Sequence, residues 1–219
     1  MQRYLAVACA AMACAGVSLC AEAQVTLNFE DLAPDPPGSP YTYNLGDVFV
    51  TGGATLTVDT FYWFPSGTPA PSGPTTGVEA DNTFIPTTTV NYAGQAGNAL
   101  ALNNMSVDVS VSSVATIGFY FGEYGGNVNM TINGSLFNAD DFSTLPATLG
   151  GASVAYTSFG PTPGGTGGYF GRVDITGTIT QFSVGGQELW IDDVRWFVPT
   201  PGTVSMAMLG GVIALRRRR

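Results

Sequence analysis

An all-β fold, a single antiparallel β-sandwich of jelly-roll-like form, is what this sequence predicts, and three observations carry it. Apolar residues alternate with polar ones at period two: Val25, Leu27 and Phe29 with Thr26, Asn28 and Glu30, then Val107, Val109 and Val111 with Asp108, Ser110 and Ser112. That is the spacing of a strand with one face buried. Short apolar runs are punctuated by Gly, Pro and Asn, which supply reversals. No amphipathic helix pattern falls between residues 24 and 198. At ordinary strand and turn lengths the body holds about ten to twelve strands. It shows no repeat of fixed period and no dividing linker, so it is read as one domain, flanked by an N-terminal signal helix and a short C-terminal hydrophobic helix.

The chain opens on MQRYLAVACAAMACAGVSLCAEAQ. Arg3 gives a positive start, Leu5 to Leu19 an apolar run, and Ala21-Glu22-Ala23 a small-x-small cleavage site. This is the layout of a secretory signal peptide over residues 1–23, which engages the export machinery and signal peptidase. Acylation on Cys20 is disfavoured because Leu19 precedes it, where lipoprotein signals want a small residue. All three cysteines lie in this segment. A body of this size buries roughly 70% of its unfolded surface and folds without disulfides.

The body, residues 24–198, begins with a strand through Asn28 to Leu32. Ala33 to Tyr41, Phe64 to Gly77 and Gly160 to Gly168 are too rich in Pro and Gly for interior strands and are expected as surface loops. Asn133-Gly134, between VNMTI and SLF, is the strongest hairpin signal, since a type I′ turn needs positive φ at both positions. Gly52-Gly53, Gly125-Gly126 and Gly185-Gly186 each read as a reversal between antiparallel neighbours. The last strand carries LWIDDVRW, Leu189 to Trp196. Strict alternation puts Trp190, Asp192, Val194 and Trp196 on one face, and Leu189, Ile191, Asp193, Arg195 and Phe197 on the other. Both faces mix apolar and charged residues, so alternation alone leaves open which is buried.

Beyond it, residues 199–219 hold Pro199 and Pro201, an uncharged and mostly apolar run from Thr203 to Leu215, and Arg216 to Arg219. As a helix that run extends only ~20 Å against a hydrocarbon core of ~30 Å, enough for transient anchoring in the inner membrane. Arginines beside an apolar segment stay on the cytoplasmic side, which leaves the body exported.

This ending resembles the PEP-CTERM class of bacterial sorting signals. Pro199-Thr200-Pro201 stands in the place of the family's motif, with Thr200 where Glu is usual, and Arg216, Arg217, Arg218 and Arg219 form the terminal cluster. The resemblance implies recognition and cleavage by an exosortase-like enzyme and delivery to the cell surface or the extracellular polysaccharide matrix. Two further motifs, NFEDL (Asn28 to Leu32) and LWIDDVRW, resemble bacterial surface β-sandwiches of the carbohydrate-binding-module kind. That likeness implies a structural calcium ion shared by acids from both ends of the domain: Glu30 and Asp192, with Asp31 and Asp193 as alternatives. Successive residues of a regular strand face opposite ways, so only one of each pair serves unless a bulge intervenes.

The whole chain contains no His, and all seven of its basic residues are Arg. Ser-His-Asp and Cys-His catalysis, His-ligated zinc and Schiff-base chemistry are therefore excluded. A carboxylate pair of the glycosidase type is the catalytic route left. Glu79, Glu123, Glu188, Asp140 and Asp141 are available, but no spacing joins two of them, and the expectation is a protein that is not an enzyme. Two arginines against fifteen acids give the body a net charge of −13 (2 − 15), which repels nucleic acid and anionic membrane and leaves cations and neutral ligands open. Trp63 within FYWF, Trp190 and Trp196 are candidate stacking faces for sugar, although aromatics at such positions are more often core. The expected function is a non-catalytic exported cell-surface or extracellular-matrix protein. A glycan-binding role and a purely structural one both stand open, and a secreted glycoside hydrolase is the third reading.

Overall fold

A computed structural model describes residues 22–34, 41–73, 76–82, 89–162 and 168–199. The signal segment, Thr200, Pro201, the apolar run, the arginine cluster and both predicted flanking helices lie outside the described residues; Pro199 ends the last strand. Among the described residues no helix is long and apolar enough to cross a membrane.

Residues Ala23–Val198 form one compact unit. It is all-β, with fourteen strands among the described residues, a few more than the sequence predicts. In chain order they are β1 (Glu22–Leu27), β2 (Val48–Thr51), β3 (Ala54–Thr60), β4 (Gly77–Asp81), β5 (Ala99–Asn103), β6 (Met105–Val109) and β7 (Val114–Glu123). They continue as β8 (Val128–Ile132), β9 (Ser135–Ala139), β10 (Thr148–Leu149), β11 (Ala152–Pro161), β12 (Tyr169–Ile179), β13 (Phe182–Gly186) and β14 (Leu189–Pro199). One sheet runs β10-β11-β12-β7-β14-β5-β4, with β1 also pairing β14; the other runs β2-β3-β6-β13-β8-β9. The pairings are antiparallel, as in β12–β7, β14–β5, β3–β6 and β13–β8.

The alternation in the sequence is what makes the two sheets meet. Leu56, Val58, Val107, Val109 and Val184 from one sheet and Ile117, Phe119, Phe121, Val173 and Ile191 from the other are all buried in a single apolar cluster. Each such side chain contributes ~1.5–3 kcal/mol by leaving water. Asn133-Gly134 forms the predicted hairpin of β8 and β9, with φ of 49° and 78°. Gly52-Gly53, at 54° and 81°, does the same for β2 and β3.

The other two glycine pairs do not form hairpins. Gly125-Gly126 leads from β7 in one sheet to β8 in the other, and Gly185-Gly186 lies inside β13, before the chain crosses to β14. The two crossings run side by side: Tyr124 N–H donates to Glu188 O at 3.0 Å, and Gln187 N–H to Asn127 O at 3.0 Å. A side chain on Gly125 would press on Gln187 O at 2.9 Å, so the glycine is there for close approach between crossings. The first strand is also shorter than predicted. It ends at Leu27 because Phe29 takes φ of 57° and its carbonyl accepts from Leu32 N–H at 3.1 Å, turning Asn28 to Leu32 out of the sheet. Gly160 and Pro161, expected in a loop, close β11.

In β14 the register against β7 shifts between Asp192 and Arg195: Asp192 lies opposite Tyr120 and Arg195 opposite Gly118, so the strand carries one extra residue. Asp193, with φ of 48°, is at the centre of this bulge. Before it Leu189 and Ile191 face the core; after it Val194 and Trp196 do. The bulge switches which residues face inward, and that is why no strict alternation fits this strand.

Candidate functional site

The turn after β1 carries Glu30 to the segment between β4 and β5. Its Oε1 accepts from Asn98 N–H at 2.7 Å, and Asn98 Nδ2 donates back to Phe29 O and Leu32 O, each at 3.2 Å. A side chain at Gly97, where φ is 84°, would overlap the Glu30 carboxylate, so only glycine permits this approach. Buried Asn91 donates to Gly97 O and Asn98 O at 3.2 Å each and to Asp192 Oδ2 at 2.8 Å. Its own Oδ1 accepts from Ala93 and Gln95 N–H at 3.0 and 3.1 Å, which fixes the amide. Asp192 Oδ1 accepts from Asp193 N–H at 2.6 Å.

Asp192 is only 1% exposed. The one ion pair among the described residues joins Arg172 and Asp174, and both Arg172 and Arg195 pack on the ring of Tyr120, at 5.5 and 5.4 Å. Burial pushes the Asp192 carboxyl up to about 7; the Asn91 and Asp193 hydrogen bonds oppose this, and the charges of Asp193 and Glu30 add to it. Glu30 and Asp192 are thus brought together. Asp31 is not: it turns to the β2–β3 hairpin, accepting from the Thr51 hydroxyl and from Gly52 N–H, bonds that hold its carboxyl below the usual range. Asp193 serves the junction through its backbone. Among the described residues no three His, Cys, Asp or Glu side chains stand grouped to hold a metal. Beside Glu30 and Asp192 stand the amides of Asn98 and Asn91, which donate to the carbonyls of Phe29, Leu32, Gly97 and Asn98.

The three tryptophans have three different environments. Trp196 is 4% exposed and belongs to the core, closed to any ligand, because the bulge turned it inward. Trp190 is half-buried beside Tyr92 and Tyr124, with centroids at 4.8 and 5.6 Å, and the two tyrosines are 5.1 Å apart. Trp190 Nε1 donates to Asp81 Oδ2 at 2.7 Å, which fixes the indole. Trp63 is half-buried and edge-on to Phe61 at 5.5 Å, between the exposed Tyr62 and Phe64. Asn129 and Asn127 clip this segment to β8: Asn129 Oδ1 accepts from Tyr62 N–H at 2.7 Å and Asn127 Oδ1 from Phe64 N–H at 2.8 Å.

No protein-family model, no curated protein and no solved structure matches the chain.

Four residues of these sites escape sequence reasoning: Asn91, Tyr92, Asn98 and Tyr124. They come from NYAGQAGNAL and the end of β7, and they meet Asp192 and Trp190 from about a hundred residues (Asn91) and 66 residues (Tyr124, 190 − 124) away in the chain. The only local signal was Gly97-Asn98, a turn-forming pair that the notched approach to Glu30 explains.

Proposed function

We propose that this chain is a non-catalytic exported protein of the cell surface or extracellular matrix, carried there by its PEP-CTERM-like tail, whose jelly-roll-like body binds extracellular glycan. The observation that carries the glycan reading is the Tyr92–Tyr124–Trp190 cluster, with its indole pinned by Asp81. Rigid, half-exposed aromatic faces bind apolar sugar faces at little entropic cost, and fixing the ring beforehand lowers that cost further. A nearby acid and the phenol hydroxyls supply partners for sugar hydroxyls. A structural calcium ion between Glu30 and Asp192 belongs to the same proposal. Two carboxylates and four backbone carbonyls offer oxygen donors to a hard cation with six to eight ligands, which would displace the Asn91 and Asn98 amide donors these oxygens accept from. The ion would tie the turn after β1 to the last strand and leave the chemistry of binding to the aromatics.

Sedimentation with insoluble extracellular polysaccharide tests the glycan reading. Wild type is expected to pellet with it, and Trp190→Ala to lose at least tenfold in affinity while its circular dichroism spectrum stays unchanged. Equal pelleting of the two proteins, or of neither, overturns it in favour of a structural role without ligand.

A further inference from the structure

The row of inward side chains along β7, Ile117, Phe119 and Phe121, ends on a carboxylate. Glu123 is 1% exposed. Its Oε1 accepts from Phe142 N–H at 2.9 Å, Tyr169 N–H also approaches the carboxylate, and among the described residues its buried Oε2 has no partner at hydrogen-bond geometry. The same side chain lines a cavity of about 210 Å³ together with Asp140, Asp141 and Gly126. Burial pushes the Glu123 carboxyl up to about 8, and the charges on Asp141 and Asp140 push the same way.

Protonation removes the charge of Glu123, but among the described residues no side chain or backbone group stands as acceptor for an O–H at Oε2. Neither arginine of the body reaches it. Both stack on Tyr120, which alternation along β7 places on the opposite face of the strand. Among the described residues, three carboxylates therefore share one cavity without a counter-charge. Such a group is stable in two ways, as a partly protonated and hydrated cluster or around a bound cation, and only the second offsets the mutual repulsion of all three carboxylates in their ionised form.

We infer that this cavity is a cation site distinct from the Glu30–Asp192 junction, taking a hard divalent ion such as calcium on Glu123 Oε2. Asp141 has one oxygen committed to Ser143 N–H at 2.7 Å and offers the other. As placed, the three side chains do not stand close enough to grip an ion; Asp140, exposed on its turn, is the one whose rotation closes the site. The cavity holds the ion with several waters at ~30 Å³ each, which fill the remaining positions of a six- to eight-fold shell. The ion links the end of β7, the crossing through Gly126 and the start of the 3₁₀ turn at Phe142–Thr144.

The test is a calcium titration of the full chain in mild detergent, followed by calorimetry and by terbium luminescence sensitised through neighbouring Tyr124. Wild type is expected to bind two ions. Glu123→Gln, a neutral isostere, is expected to remove one ion and most of the terbium emission. Asp192→Asn should remove the other ion and leave that emission in place. If Glu123→Gln fails to fold, Asp140→Asn, on the surface, is expected to weaken the same ion at least tenfold. Unchanged stoichiometry and emission in Glu123→Gln, or in Asp140→Asn where it is the variant used, would overturn the inference and leave the cavity to water. Loss of one ion in Glu123→Gln with none lost in Asp192→Asn would remove the junction site while keeping this one.

Discussion

Asp192 and Glu123 are buried acids with amide partners and no cationic ones, and this sets how the protein responds to pH. Their carboxyls move from 3.8 to about 7 and from 4.5 to about 8. Both folded-state values are raised, so between these limits the folded protein keeps protons that the unfolded chain has lost. Stability of the metal-free protein therefore falls as pH rises from about 4 to about 8. Asp31, held low by Thr51 and Gly52, acts outside that window: its contribution is present above 3.8 and fades only below it. Calcium at the proposed sites would reverse the trend, because it favours the ionised forms; at ~100 times its dissociation constant one site would add ~2.7 kcal/mol. Melting temperatures in chelator should drop across this range, and millimolar calcium should restore them near the upper limit but not near the lower. Identical curves in the two buffers would remove the calcium readings. Glu30 and Asp192 could be singled out in the sequence because each lies in a short recognisable motif. Asn91 and Asn98 could not, since their role is to bridge partners that only the fold brings near.

At the level of the element, β14 shows the limit of period-two reasoning. Its residues were legible as a strand, but a single inserted residue at Asp193 exchanges the two faces half-way along. The exchange makes Trp190 and Trp196 chemically different although both are even-numbered tryptophans of one strand. Trp196→Ala should cost ~3–5 kcal/mol by leaving a core cavity. Trp190→Ala, at a half-buried site, should cost markedly less, and urea melts of the two variants compare them directly. Equal destabilisation would mean the bulge does not divide the strand as described. Turn chemistry has a similar limit. Asn133-Gly134 and Gly52-Gly53 were read correctly because a type I′ turn is decided by the φ of its own two residues. Gly125-Gly126 and Gly185-Gly186 were misread as hairpins because glycine also serves where two crossings pack closely, and nothing local says into which sheet the chain continues.

For the molecule as a whole, composition was the most reliable guide. Period-two alternation, frequent Gly and Pro and a body without cysteine lead to two antiparallel sheets around one apolar core. Strand order was not legible, since β7 and β14, or β6 and β13, find each other across 66 residues or more (189 − 123). The ends of the chain carry the export reading, and intact mass of the protein recovered from the cell surface tests it. The expected species starts at Gln24 and ends near Pro199 to Gly202; a mass retaining both Ala21-Glu22-Ala23 and the four terminal arginines would reject it. The place of β14 has a mechanical consequence. It lies inside its sheet, bonded to β7 on one side and to β5 on the other, with β1 pairing it as well. A body held by its C-terminal end is pulled along the axis of this strand, at right angles to its inter-strand hydrogen bonds. Such a load is shared by the bonds of both flanks at once instead of peeling them one by one. On the proposed surface placement, flow or traction would load the domain in shear along this strand.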